Sequence, residues 1–219
     1  MRLSISRTTW IFLIIGLLVQ VITYSFLPND NPWSLVSGIL GVCSVVLGAQ
    51  GNILTFLFGF AQVVTYTYLC YLERFYAEIA INIYYFITMI YGVYCWRTRL
   101  SDQSLQVQTR RLSYKLLPVI IIAILLLSWL IGWLLENYTD DPQPYMDAFT
   151  TVPAIAAQLF MVLAYREQWY LWLGIDILAV ILWIRAENYC IAAQYAFWCI
   201  NCLYGYIQWT RLSKTTNKE

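Results

Sequence analysis

Residues 76–96 read YAEIAINIYYFITMIYGVYCW, and residues 189–209 read YCIAAQYAFWCINCLYGYIQW. Aligned without gaps, Tyr76/Tyr189, Ala80/Ala193, Tyr91/Tyr204, Gly92/Gly205 and Trp96/Trp209 match, and both blocks end in Y-G-x-x-x-W. Each block has the ~20 apolar residues that a bilayer-spanning helix needs. Aromatic residues at a helix end are common in membrane belts, so the shared ending alone carries little. The loops before the blocks and the basic residues after them correspond as well, which makes the pair a candidate internal repeat.

Composition agrees with a membrane setting. Of 219 residues, 61% are hydrophobic and 11% charged, where a soluble domain carries about a quarter charged. Eight apolar segments stand out, at about 10–27, 34–50, 53–72, 76–98, 115–135, 147–165, 168–185 and 188–210. The first, with Arg2 and Arg7 before it, has the outline of a signal peptide. It lacks an A-x-A-like cleavage site and reads as a retained helix. Net charge is +1, which argues against nucleic acid as a partner.

Alternating the eight segments from a cytoplasmic N-terminus puts Arg2, Arg7, Arg97, Arg99, Arg110, Arg111, Lys115, Arg166, Arg211, Lys214 and Lys218 inside. Only Arg74 and Arg185 fall outside, and Glu136, Asp140, Asp141 and Asp147 gather in one outer loop. This bias follows the positive-inside rule and predicts two cytoplasmic termini. The blocks at 76 and 189 are then the fourth and eighth segments and cross in one direction. The expected organisation is a parallel repeat of three-helix units: 1–33 an added helix and loop, 34–98 the first unit, 99–135 a cytoplasmic loop and linking helix, 136–210 an outer loop and the second unit, 211–219 a tail. Parallel repeats are one design of secondary transporters, with a binding site near the midplane between the halves.

The segment WYLWLGIDILAVILW, residues 169–183, carries one acid, Asp176, and no base. At ~1.5 Å per residue Asp176 lies roughly 12 Å from either end of its helix, too deep to snorkel. An ionised carboxylate at that depth is costly, and such residues mark pathways or sites; the alternative is a protonated Asp, or one bonded to a neighbouring amide. Trp169, Trp172, Asp176, Ala179 and Trp183 recur at steps of three and four and share a face. Indoles beside a carboxylate suit a cationic aromatic ligand.

Other helices carry polar stripes: Glu78, Asn82 and Tyr85; Gln194, Trp198 and Asn201; Thr55, Gly59, Gln62 and Tyr66; and Gln158 alone. Interhelical hydrogen bonding is the commoner role for any one of them. Together they fit an uncharged lining for a sugar. Pro118 and Pro153 read as residues just inside helix starts. The six cysteines, including the C-x-x-C of Cys199 and Cys202, read as small apolar packing residues. There is no His, no G-x-x-x-x-G-K-[ST], no H-E-x-x-H and no G-x-S-x-G. No enzymatic activity, ATP motor, metal site or cofactor is therefore expected.

The tract GNILTFLFGFAQVVTYTY…FYAEIAINIYYFITMIYGVYCWR resembles the first half of the PnuC-type vitamin transporters. The tract DAFTTVPAIAAQLFMVLAYREQWYLWLGID…AAQYAFWCINCLYGYIQW resembles the second. The resemblance covers about 34–100 and 147–210. It implies a 3+1+3 helical fold related to the SWEET sugar transporters but inserted the other way round. It further implies nicotinamide riboside uptake across a bacterial inner membrane, by facilitated diffusion with trapping through phosphorylation, in a homotrimer with one pathway per subunit. The family places a W-x-x-x-N motif against the nicotinamide end of the ligand. Trp172 matches its Trp, and Asp176 stands where the family has Asn. An ionised Asp accepts from a carboxamide but cannot donate to it. It equally suits thiamine, another cationic heteroaromatic that some relatives carry. The expected ligand residues are Trp172, Asp176 and Trp169, with Asn82, Gln158, Gln194, Asn201, Gln62, Tyr66 and Tyr85 as hydrogen-bonding candidates. A non-transporting membrane receptor or binding subunit is the alternative of another class.

Overall fold

The computed structural model describes residues 6–26, 31–72, 74, 76–100, 105–185, 187 and 189–215. Arg2 and Lys218, two of the charges counted for sidedness, lie outside the described residues. Eight helices follow one another: α1 (Arg7–Ser25), α2 (Pro32–Ala49), α3 (Thr55–Leu72), α4 (Tyr76–Arg97), α5 (Leu117–Tyr138), α6 (Pro144–Val162), α7 (Gln168–Arg185) and α8 (Tyr189–Thr215). They coincide with the eight expected segments. Among the described residues, α1 to α7 are long and apolar enough to cross a membrane. α8 is not among them, because Gln194, Asn201, Gln208 and Arg211 dilute its apolar content.

The outer surface suits lipid. α5 buries only Ser128 and Gly132 and exposes Ile122, Leu126, Trp129 and Leu130. In a hydrocarbon solvent such a face has no reason to turn inward. α5 holds to α6 through a small-residue contact, where a Cβ on Gly132 would come 2.5 Å from Tyr145 Cδ1.

Features of α2–α4 reappear in α6–α8 with one offset, 113 residues (76 and 189, for instance). α3 spans 55–72 and α7 spans 168–185. The turns that close α2 and α6 hold left-handed residues at Gly51 (φ 69°) and Ala164 (φ 62°), and those after α3 and α7 do so at Arg74 (62°) and Glu187 (57°). Trp96 Nε1 donates to Met161 O at 3.1 Å, and Trp209 Nε1 donates to Gly48 O at 2.9 Å. Each indole thus caps a helix of the other group. The two indoles, both fully buried, meet at 5.6 Å and 65°. They are core residues rather than membrane-belt residues. Phe56 stands edge-on to Trp96, as Trp169 does to Trp209. The shared glycines answer to this packing: a Cβ on Gly92 would lie 2.7 Å from Phe56, and one on Gly205 would lie 2.5 Å from Trp169.

The segment 105–112 crosses the end of the bundle where both Trp lie. Val107 N donates to Gly51 O at 2.9 Å, Thr109 Oγ1 to Trp209 O at 2.6 Å and Arg110 N to Ala164 O at 2.7 Å. Arg166 N donates back to Arg110 O at 3.1 Å, and Leu112 N donates to Glu167 Oε2 at 3.0 Å. This strap ties the α2–α3 turn, the α6–α7 turn and α8 together. Beneath it Arg166 pairs with Glu167 at 3.0 Å, bonds Thr210 Oγ1 at 3.1 Å and lies over the Tyr206 ring at 5.3 Å. Satisfying a buried pair on several sides offsets its desolvation.

α1 packs outside the two matched groups. Ser6 caps it, accepting from Thr9 N at 3.1 Å. Thr9 Oγ1 and Tyr204 OH share a hydrogen bond at 3.1 Å, and Phe12 stacks on Tyr204 at 4.5 Å. One expectation needs correcting. α6 begins at Pro144, three residues before the expected start, so Pro153 lies inside the helix. Proline there removes one helical hydrogen bond and loosens the turn around it. Pro118 does sit in the first turn of α5.

Candidate functional site

A cavity of about 320 Å³ opens between α2, α3, α4, α6, α7 and α8. That is near the lower end for small-molecule sites, ~300–1,000 Å³. α1 and α5 contribute nothing to its wall. α7 provides Gln168, Trp169, Trp172 and Asp176. On the facing group the residues 113 earlier are Thr55, Phe56, Gly59 and Val63. At the position of Trp172 the facing group has Gly59, where a Cβ would meet Ser44 Oγ and Met89 Sδ at 3.0 and 3.1 Å, and at the position of Asp176 it has the uncharged Val63. The cavity is therefore built from matched positions but is chemically one-sided, as an asymmetric ligand requires.

Asp176 is buried, at 9% exposure. Its described partner is Cys202, whose Sγ donates to Oδ2 at 3.4 Å. A thiol is a weak donor, so the carboxylate keeps most of its hydrogen-bonding capacity for the cavity. Among the described residues no Lys or Arg lines the space. Trp172, one helical turn away, is half-buried.

At the strap end, Gln168 is 1% exposed and its Nε2 has no described partner; the Trp169 indole Nε1 is likewise buried and unpartnered. Unmatched buried donors are costly; both residues line the cavity, but these two nitrogens are closed off from its open space. Ser44 and Thr55 bond each other's carbonyls, at 2.9 and 2.8 Å, and stiffen the α2–α3 corner. Gln158 Nε2 donates to Thr88 Oγ1 at 3.2 Å, which fixes the amide at the wall.

Of the ten expected site residues, Trp172, Asp176, Trp169, Gln158, Gln62 and Tyr85 come together on this cavity. Asn82, Gln194, Asn201 and Tyr66 do not. Asn82 turns back on its own helix, donating to Glu78 O at 2.7 Å. Gln194 Nε2 donates to Gln20 Oε1 of α1 at 3.1 Å. Asn201 is fully buried on another face of α8, its amide without a described partner. Trp183, two turns beyond Asp176 on the same face of α7, lines a second, smaller cavity. Cys202, expected only as packing, holds the carboxylate. Gln168 and Tyr195 also line the cavity without having been singled out. Tyr195 could have been found by reading α8 at 195, 198 and 202, a stripe one position from the one at 194, 198 and 201. Gln168 carries no such signal, being the first residue of its helix.

Comparison with known proteins agrees with this architecture. The family described as nicotinamide mononucleotide transporter matches residues 31–211. The nicotinamide riboside transporter PnuC of Haemophilus influenzae is 32% identical over 210 residues, covering 94% of this chain and 91% of its own. That of Neisseria mucosa is 30% identical, with coverages of 95% and 82%. A crystal structure of the vitamin B3 transporter PnuC superposes with a TM-score of 0.79 at 27% identity, covering 97% of this chain and 94% of that one. With a cavity at the middle of an apolar helical bundle and these relatives over nearly its whole length, the chain belongs to the PnuC-type family of nicotinamide-vitamin transporters.

Proposed function

We propose that this protein carries nicotinamide riboside across a bacterial inner membrane by facilitated diffusion, with phosphorylation of the ligand inside the cell making uptake net. The observation that carries the reading is the cavity wall: among the described residues it has one buried carboxylate, three indoles (Trp169, Trp172 and Trp198), several amides and no base. A pyridinium ring meets Trp172 and Trp169 by stacking and Asp176 by charge. Gln62 and Gln158 of the wall serve the ribose hydroxyls and the carboxamide, while Gln168 Nε2 and Trp169 Nε1 would need a local shift to reach the ligand. The same wall argues against the mononucleotide, because a phosphate dianion would find no Lys or Arg and would face Asp176. The nearest buried cation, Arg166, is already paired with Glu167.

Alternating access would rock two three-helix units, α2–α4 and α6–α8, about the cavity, with α5 as the link and α1 as an addition. The recurrence of helix bounds, left-handed turns and crossed indole bonds at one offset supports this 3+1+3 repeat. Arg7, Arg97, Arg99, Arg110, Arg111, Lys115, Arg166 and Arg211 lie toward the strap end, against Arg74 and Arg185 at the other. That bias supports a cytoplasmic strap end with both termini inside. One chain encloses the cavity, which supports one pathway per subunit; the homotrimer follows from the family resemblance alone.

Thiamine is the competing cargo, favoured by the acid that replaces the family's Asn. Calorimetry with nicotinamide riboside, its mononucleotide and thiamine separates them; tight binding of thiamine alone removes the riboside reading. Proteoliposomes holding only this protein should equilibrate riboside without any ion gradient. Accumulation that collapses when protons or sodium are equalised rules out the passive mechanism, and failure to equilibrate points to a binding subunit.

A further inference from the structure

A second cavity, of about 220 Å³, lies at the end of the bundle opposite the strap, between α1, α2, α7 and α8. Gln20 and Tyr24 of α1, Trp183 of α7 and Gln194 of α8 line it. Tyr195 lines both this cavity and the central one. Tyr195 therefore forms part of the wall between the two spaces. Trp183 stands seven residues beyond Asp176 on α7, ~10 Å along the helix axis.

We propose that this second cavity is an access vestibule, in which a cationic heteroaromatic ligand is held before it passes Tyr195 to the central cavity. The wall suits that ligand class. Three aromatic side chains offer π-faces to a cation, and the amide pair Gln20–Gln194, bonded at 3.1 Å, offers carbonyl oxygen. None of its described lining residues is Lys, Arg, Asp or Glu, so they neither repel nor trap a cation, and the carboxylate one layer deeper holds it more strongly. The matching route in the other three-helix group is closed differently. The residue 113 before Tyr195 is Asn82, which is 3% exposed and bonded to its own helix at Glu78 O. The vestibule also assigns a role to α1, which lies outside the repeat and contributes Gln20 and Tyr24.

The inference rests on the transport reading and on the strap end being cytoplasmic. The test uses full-length protein in right-side-out vesicles, with Gln194→Cys and, on the facing wall, Trp183→Cys. Both are treated from outside with a membrane-impermeant cationic methanethiosulfonate, and the wild type is treated alike as control for its own cysteines. Mass spectrometry counts the label. We expect external labelling at both positions, slowed by saturating nicotinamide riboside, and at least a tenfold drop in initial uptake once a position is labelled. Full uptake after stoichiometric labelling overturns the vestibule. So does absence of external labelling at both positions, which is readable even where a variant does not transport. Loss of riboside binding in the untreated wild type would instead sink the transport reading.

Discussion

Replacing Asp176 by Asn removes one negative charge and keeps the side chain's shape. The structure makes the consequence calculable in outline. The carboxylate is 9% exposed, has one weak described donor in Cys202 and no cation in the wall around it. A pyridinium stacked on Trp172 brings its charge within ~4 Å, where the pair is worth about 4 kcal/mol at an effective dielectric of 20. Desolvating the ring and gaining the Asn amide donor offset part of this. A charge-assisted contact then leaves a net loss of about 1.5–3 kcal/mol, roughly ten- to hundredfold in Kd. The assay is calorimetry with nicotinamide riboside and its reduced, uncharged dihydro form, which has nearly the same outline and the same hydrogen-bonding groups. The wild type should prefer the cation by that factor, and Asp176→Asn should lose most of the preference, chiefly through weaker cation binding. The loss should be larger at low salt. An unchanged preference would falsify the placement of an ionised carboxylate against the ring.

Other expectations follow from the packing. Gly205→Ala and Gly92→Ala each force a methyl to within 2.7 Å or less of a ring and should each cost ~1–3 kcal/mol by overpacking. Only Gly205→Ala displaces a cavity residue, Trp169, so it alone should weaken ligand binding in calorimetry; equal effects on binding would contradict the placement. Trp96→Phe and Trp209→Phe should each lower stability by about 0.5–1.5 kcal/mol, the worth of one buried hydrogen bond, because Met161 O and Gly48 O lose the indole donor but keep Ala164 N and Gly51 N. Thermal unfolding in detergent reads both, and a neutral outcome would show that water replaces the indole. Glu167→Gln leaves Arg166 buried without its ion partner and should cost ~3–5 kcal/mol. In the double variant with Arg166→Met most of that loss should return, and a stable single variant would speak against a buried pair.

Much of this protein is readable from its one-dimensional pattern. Runs of apolar residues of bilayer length mark α1 to α7, since a spanning backbone must satisfy its hydrogen bonds within itself; α8 is marked instead by its likeness to the block at 76–96. The spacing of Trp169, Trp172 and Asp176 puts them on one face, because helical periodicity relates residues of the same helix. The paired blocks ending at Trp96 and Trp209 mark equivalent positions through their glycines and indoles. What the pattern does not contain is the rotation of each helix about its own axis. In water an apolar stripe points inward, but in lipid both sides of a helix are apolar. The turn of α8 is set by contacts distant in sequence: Trp169 against Gly205, and Phe197 against Gly16. Those contacts bring Tyr195, Trp198 and Cys202 to the cavity and carry Gln194 and Asn201 away from it. Tertiary structure alone likewise decides that Gln168, a helix-start residue, ends beneath the strap with an unmatched donor, and that Cys202 meets Asp176. It also decides that Trp183, on the same stripe as Asp176, belongs to a separate cavity, because α1 packs along α8 and leaves that cavity between itself and α7.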